Sequence, residues 1–147
     1  MNNRRKLIIA LGAAALASPL SSFAQPTKVW RVGFLSPRSR PVSIDADIFG
    51  AFLSGMRELG YVEGRNLAIE WRFGDNQAER LPGLAAELVQ LKVDVIVTNG
   101  VPTIIAAQKA TATIPVVISN APDPVGNGWV KSLAHPGGNL TGVSNLN

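Results

Sequence analysis

The stretch Val93-Asp94-Val95-Ile96-Val97-Thr98-Asn99-Gly100-Val101-Pro102-Thr103 decides how the rest of the chain is read. From Val93 to Thr98 it is almost continuously apolar and rich in β-branched residues, the composition of a strand covered on both faces. Strands of that kind belong to parallel sheets, whose crossover helices lie above and below. Gly100 then permits a tight turn and Pro102 presets the first helical turn, so an Ala-rich helix is expected from Pro102 to about Ala110.

Working outward, the same alternation repeats on both sides. Toward the N-terminus, Leu81, Leu84, Ala85, Leu88 and Leu91 share one helical face, with Asp75 or Asn76 near the start and Pro82 tolerated in the first turn. Before it, Leu67 to Phe73 alternates apolar with polar, as an outer strand with one wetter face does. Ile48, Phe49, Phe52, Leu53, Met56 and Leu59 mark a further helix, capped by Ser43 or Asp45 and ended by Gly60 in a left-handed conformation. Val29 to Leu35 is the first strand. Toward the C-terminus, Ile114 to Ser119 reads as a strand, Val125 to Ala134 as a short helix and Thr141 to Ser144 as a last strand. The fold class that follows is α/β, a parallel sheet with right-handed crossovers between two helical layers.

In an open parallel sheet, ligands bind at the carboxyl ends of the strands. Three segments qualify: Ser36 to Ser39, Asn99 to Thr103, and Ser119 to Asp123. In the second, N–H groups beside Thr103 at a helix start suit a carboxylate, although a strand-to-helix turn that binds nothing needs the same residue types. In the third, Asp123 can receive an ammonium group or simply cap the turn before Pro124. The candidate ligand-binding residues are therefore Ser36, Asn99, Gly100, Thr103, Ser119, Asn120 and Asp123. His135, the only histidine, lies in the turn sequence His135-Pro136-Gly137-Gly138, and Trp30 and Trp71 lie within strand patterns as packing residues. No Ser/His/Asp set, carboxylate pair, metal cluster or phosphate-binding glycine loop is present in the sequence, so neither catalysis nor a cofactor is expected.

The first 24 residues differ in kind. A basic start (Arg4, Arg5, Lys6) leads into an 11-residue apolar run from Leu7 to Ala17, then Ser22-Phe23-Ala24 before Gln25. This is the layout of a cleavable signal peptide, and its apolar run is short of the roughly 20 residues that span a bilayer. Residues 1–24 are thus expected to direct export to the periplasm, by the general or the twin-arginine route, with the mature chain starting at Gln25. Their removal takes three of the 14 Lys and Arg and none of the 10 Asp and Glu, leaving 11 against 10, a charge of +1. A body so close to neutral offers nucleic acid no concentrated basic face. With no cysteine, the exported chain carries neither disulfides nor a lipid-bearing Cys. The mature 25–147 segment is the right size for one small domain.

Several stretches, in order along the chain, resemble one family. They are Val32-Gly33-Phe34-Leu35-Ser36, Leu59-Gly60-Tyr61-Val62-Glu63-Gly64-Arg65-Asn66, Glu79-Arg80-Leu81-Pro82, Val93 to Val97, Asp123-Pro124-Val125-Gly126 and Pro136-Gly137-Gly138-Asn139-Leu140-Thr141-Gly142. The pattern resembles ABC-transporter substrate-binding proteins of the tryptophan/tyrosine/phenylalanine type, which have the type I periplasmic-binding-protein fold. The resemblance implies that 25–147 is the N-terminal lobe of a two-lobed binder. It further implies a small solute such as an aromatic amino acid, delivered to a membrane permease driven by a separate ATPase, with no chemistry by the protein itself. Family members run to roughly twice this length, the second lobe supplying the other jaw. The chain stops at Asn147, near where the family crosses to that lobe. Two rivals remain: a ligand-sensing domain of a regulatory protein, which would carry a basic helix-turn-helix where the signal segment stands, and a secreted enzyme.

Overall fold

The computed structural model describes residues 28–145. The signal segment, its cleavage point before Gln25 and the export motif all lie outside the described residues. Within them, five strands form one sheet: β1 (Trp30–Ser36), β2 (Leu67–Phe73), β3 (Val95–Thr98), β4 (Val116–Pro122) and β5 (Leu140–Asn145). Every pairing is parallel and the spatial order is β2-β1-β3-β4-β5, so the expected parallel sheet is present and β2 is indeed an outer strand. Three α-helices connect the strands: α1 (Ile48–Glu58), α2 (Leu81–Gln90), preceded by a 3-10 turn at Ala78–Arg80, and α3 (Val101–Ala110).

Each face of the sheet has its own core. On one side α2 and α3 close over β1, β3, β4 and β5 with aliphatic side chains, including Leu35, Leu81, Leu88, Ile96, Ile104 and Ile118. Gly33 belongs to this fit: a methyl group there would lie 2.9 Å from Leu88 Cδ2, so the bare backbone lets α2 sit down on β1. On the other side α1 covers β1 and β2 with rings. Phe34 and Phe49 meet edge to face at 5.3 Å, and Trp71 packs against Phe34, Phe49, Phe52 and Phe73. Offset and edge-on ring pairs of this kind add about 0.5–1.5 kcal/mol each beyond burial. Trp71 is thus a packing residue as expected. Trp30 differs, being 41% exposed at the start of β1 with the Lys28 ammonium 3.6 Å above its ring.

Two local expectations need correction. The α1 cap is Asp47, whose carboxylate accepts from the Ile48 N–H at 2.6 Å, and not Ser43 or Asp45. Asp47 is also held by Arg38 at 3.1 Å, which ties the loop after β1 to the start of α1. The helix expected from Val125 to Ala134 is a series of turns. Asp123 accepts from the Gly126 N–H at 2.8 Å, and Asn127 donates to the Pro122 and Asp123 carbonyls. These local bonds compete with a helical ladder, and Gly128 at φ +71° ends the single turn that forms. The other punctuation behaves as read. Gly60 leaves α1 at φ +87°, and Pro82 and Pro102 stand in first turns.

Candidate functional site

The carboxyl ends of β1, β2 and β3 bring three loops to one edge of the sheet, with the end of β4 beside them. Ser36 and Phe73 are register partners, and the Gly74 N–H donates to the Ser36 carbonyl at 2.8 Å, so the loops after β1 and β2 leave side by side. Pro37 is the hub between them and the third loop. A methyl group on Gly74 would lie 3.2 Å from the Pro37 carbonyl oxygen, and one on Gly100 would lie 3.8 Å from Pro37 Cγ. The Asn99 N–H reaches the Leu35 carbonyl at 3.3 Å, fixing the turn after β3 beneath the end of β1.

The seven residues singled out from the sequence divide by what their polar atoms do. Ser36 is fully buried, its hydroxyl accepting from the Arg38 N–H at 3.3 Å, so it shapes the β1 loop. Thr103 is also fully buried, and its hydroxyl donates to the Gly100 carbonyl at 2.7 Å. The same carbonyl takes the N–H groups of Thr103 and Ile104, each at 3.2 Å, while Pro102 has none to offer. Of the donors at the start of α3, the Thr103 N–H and hydroxyl and the Ile104 N–H are thus engaged by the Gly100 carbonyl. Gly100 itself, at φ +97°, adopts a conformation that suits glycine and makes the turn possible.

The remaining four face outward or stand half-buried. Asn99 is half-buried at the end of β3, and its carboxamide has no hydrogen-bond partner among the described residues. Ser119 is exposed and donates to the Thr98 carbonyl at 2.8 Å, bridging β4 to β3 within the register shift between Ile118 and Ala121. Asn120 is exposed within that shift and is itself engaged in an interaction. Asp123 sits at φ +38°, exposed, with its carboxylate on the Gly126 N–H, which is the capping role rather than a free acid. The fold thus brings Ser36, Asn99 and Gly100 together through Pro37, and Ser119 beside Thr98, while Asp123 serves its own turn.

Arginines crowd this edge in a way the sequence reading did not use. Arg38 pairs with Asp47 and Arg80 pairs with Asp75, whereas Arg40 lies over the Phe73 ring, its guanidinium carbon 5.6 Å from the ring centre. The signal was present in Ser36-Pro37-Arg38-Ser39-Arg40, a basic loop directly after the first strand.

Other cavities lie away from this edge. An open apolar hollow of about 260 Å³ is lined by Trp30, Val32, Met56, Tyr61, Leu67 and Val95, at the amino ends of β1 to β3. A small one lies between Ile118 and the turns around Val130 and Pro136. No helix among the described residues is long and apolar enough to cross a membrane.

Comparison with known proteins accounts for the scaffold. Residues 40–147 match the model of the family described as ABC transporter substrate binding protein. A "Tyrosine-binding protein" of Clostridioides difficile (strain R20291) is 36% identical over 93 residues, covering 63% of this chain and 27% of the relative. Among solved structures, the ligand-free, open form of a substrate binding protein with adhesive properties from Clostridium difficile superposes with a TM-score of 0.72 at 29% identity. It covers 81% of this chain and 40% of that one. An ABC domain in complex with L-Trp from Streptococcus pneumonia gives 0.70 at 30% identity, covering 80% of this chain and 39% of that one. The chain spans about a quarter of the curated relative's length and about two-fifths of the solved chains. The matched relatives whose names state a role are binding proteins, and the parallel-sheet lobe is theirs. With the family model covering most of the sequence and the lobe superposing on solved members, the chain belongs to the ABC transporter substrate-binding protein family.

Proposed function

We propose that this protein is the extracytoplasmic solute-binding component of an ABC importer, and that its solute is a small molecule bearing a carboxylate, such as an aromatic amino acid. Residues 1–24 direct its export to the periplasm, and its partners are a membrane permease and that permease's separate ATPase. The observation that carries the reading is the carboxyl edge of the sheet. Loops that are otherwise internally bonded leave the Asn99 carboxamide without a partner there, on a scaffold shared with a protein solved in complex with L-Trp. Half-buried polar groups ordinarily find partners, so one held open at a strand terminus of this fold suits a ligand. In this reading Asn99, Ser119 and Asn120 line the solute, Gly100 lets the backbone approach it, and Ser36, Thr103 and Asp123 hold the loops in shape.

Isothermal titration of the chain from Gln25 onward against L-tryptophan, L-tyrosine and a panel of other amino acids tests the solute. Weak binding of aromatic amino acids, no tighter than about millimolar for one lobe of a two-lobed site, is expected, and no preference for aromatic amino acids over the rest of the panel would remove that choice of solute. Export is tested separately by fusing residues 1–30 to a reporter active only outside the cytoplasm and sequencing the mature N-terminus, expected at Gln25. Reporter activity confined to the cytoplasm would end the localisation claim.

A further inference from the structure

Of the three arginines on the loops at the carboxyl edge, two are neutralised locally, Arg38 by Asp47 and Arg80 by Asp75. Arg40 faces no acid among the described residues, and its side chain makes no hydrogen bond there. Its guanidinium lies over the ring of Phe73, the last residue of β2 and the register partner of Ser36. A guanidinium lying over a ring in this way keeps all five N–H donors available in their planar fork. Phe73 is in turn buried and wedged between Phe49 and Trp71, so the platform beneath Arg40 is part of the rigid aromatic core. Pro37, two residues beyond the end of the β1 core at Leu35, brings the same loop against Gly100, next to the unpartnered Asn99 carboxamide. Meanwhile the N–H groups of Thr103 and Ile104 are taken by the Gly100 carbonyl, so the turn after β3 offers a carboxylate fewer donors than an open helix start would.

We infer that Arg40 is the specificity-determining residue for the solute's anionic group, binding its carboxylate through the free guanidinium fork while Phe73 holds the fork in place. The inference rests on the proposed solute-binding role of this edge and adds to it the residue that distinguishes a carboxylate from its neutral counterpart. Charge-assisted bonds from a fixed arginine are the stronger kind, and Arg matches carboxylate geometry with two parallel bonds where Lys offers a point charge.

The test uses the chain from Gln25 onward, with L-tryptophan and its carboxamide, L-tryptophanamide, as probes in isothermal titration. The unsubstituted protein is expected to prefer the acid. Arg40→Gln is expected to weaken L-tryptophan binding about ten- to a hundred-fold, from the loss of a charge-assisted pair, and to leave the amide unchanged. Arg40→Lys is expected to restore part of the preference. Thermal unfolding should scarcely move, because Arg40 is exposed, which separates recognition from folding. An undiminished acid-over-amide preference in Arg40→Gln overturns this inference alone. Absence of any carboxylate binding by the unsubstituted protein overturns the solute-binding reading and this inference with it.

Discussion

The two ends of the sheet are built from the same polar residue types but differ in what they leave open. At the amino end, Asp94 accepts from the Lys28 ammonium and the Arg31 N–H, each at 2.8 Å, and the Arg31 guanidinium donates to the Leu91 carbonyl. Asn66 accepts from the Val62 N–H and donates to the Gly60 carbonyl, and Asn139 donates to the Thr111 and Ile114 carbonyls. At the carboxyl end the Asn99 carboxamide and the Arg40 fork are open among the described residues. One end stitches helix ends to strand starts. The other bonds its loops just as closely but holds two groups, the Asn99 carboxamide and the Arg40 fork, in reserve, which is the difference between a foundation and a reading surface.

If that contrast is right, amino-end substitutions should cost stability and spare binding. The largest effect is expected from Asn139→Ala, which strands two part-buried carbonyls and should cost about 2–3 kcal/mol in urea unfolding, with the solute titration unaltered for the folded fraction. Gly100→Ala tests whether the contrast can be broken. It lies at the carboxyl end yet sits at φ +97°, so it should cost about 1–2 kcal/mol of stability as well as disturb binding. A variant as stable as the parent would mean that the turn relaxes.

Asp94 sharpens the comparison through pH. The Arg31 N–H first, then the Lys28 hydrogen bond, hold its carboxyl below the ordinary value of 3.8, against the opposing effect of partial burial. A depressed acid contributes stability that is fully present above its unfolded pKa and is lost as pH falls through its folded one. Asp94→Asn should therefore cost about 1 kcal/mol at neutral pH, modest because 28% of the side chain stays in water, and the deficit should begin to shrink as pH falls past 3.8 and vanish only once pH lies below the lower folded pKa. A deficit independent of pH would assign the effect to packing. The smallest stability effect is expected from Asn99→Ala, within about 0.5 kcal/mol, while solute affinity falls; a large loss of stability there would erase the distinction between the two ends.

Most of the scaffold was legible because it rests on period and punctuation. The apolar run Val93 to Thr98, the 3.6-residue spacing of Leu81, Leu84, Ala85 and Leu88, and the placement of Gly60, Pro82 and Pro102 are local properties, and they appear where the sequence puts them. The misreadings come from side-chain bonds that sequence spacing does not rank. Ser43, Asp45 and Asp47 are all competent caps, and Arg38 reaching back from the β1 loop accompanies the last of them. The Val125 to Ala134 segment carries apolar residues at helical intervals, but Asp123 and Asn127 satisfy the backbone as turns instead. For the site, the position was legible from the rule about strand ends. The roles were not, since whether Thr103 offers its hydroxyl or closes it on Gly100 is a matter of rotamer, and Arg40 gains its interest from Phe73, 33 positions away, by the register of β1 with β2.

The strand order carries a consequence for how this chain comes to be folded. Both neighbours of β1 lie downstream of it: Val32 pairs with Ile69 on one side and with Val95 on the other, 37 and 63 residues further on. A ribosome releases the chain N-terminus first, and no parallel partner for β1 exists until β2 has emerged; the second arrives only with β3. Through that interval the nascent chain carries Val32, Phe34 and Leu35, all buried at the end, as an unpaired sticky segment. Distant parallel pairings also close slowly. β1 is thus the first strand to be made yet is paired on both sides only once β3 has emerged, so a holdase that shields residues 30–36 during synthesis should raise the yield of folded protein.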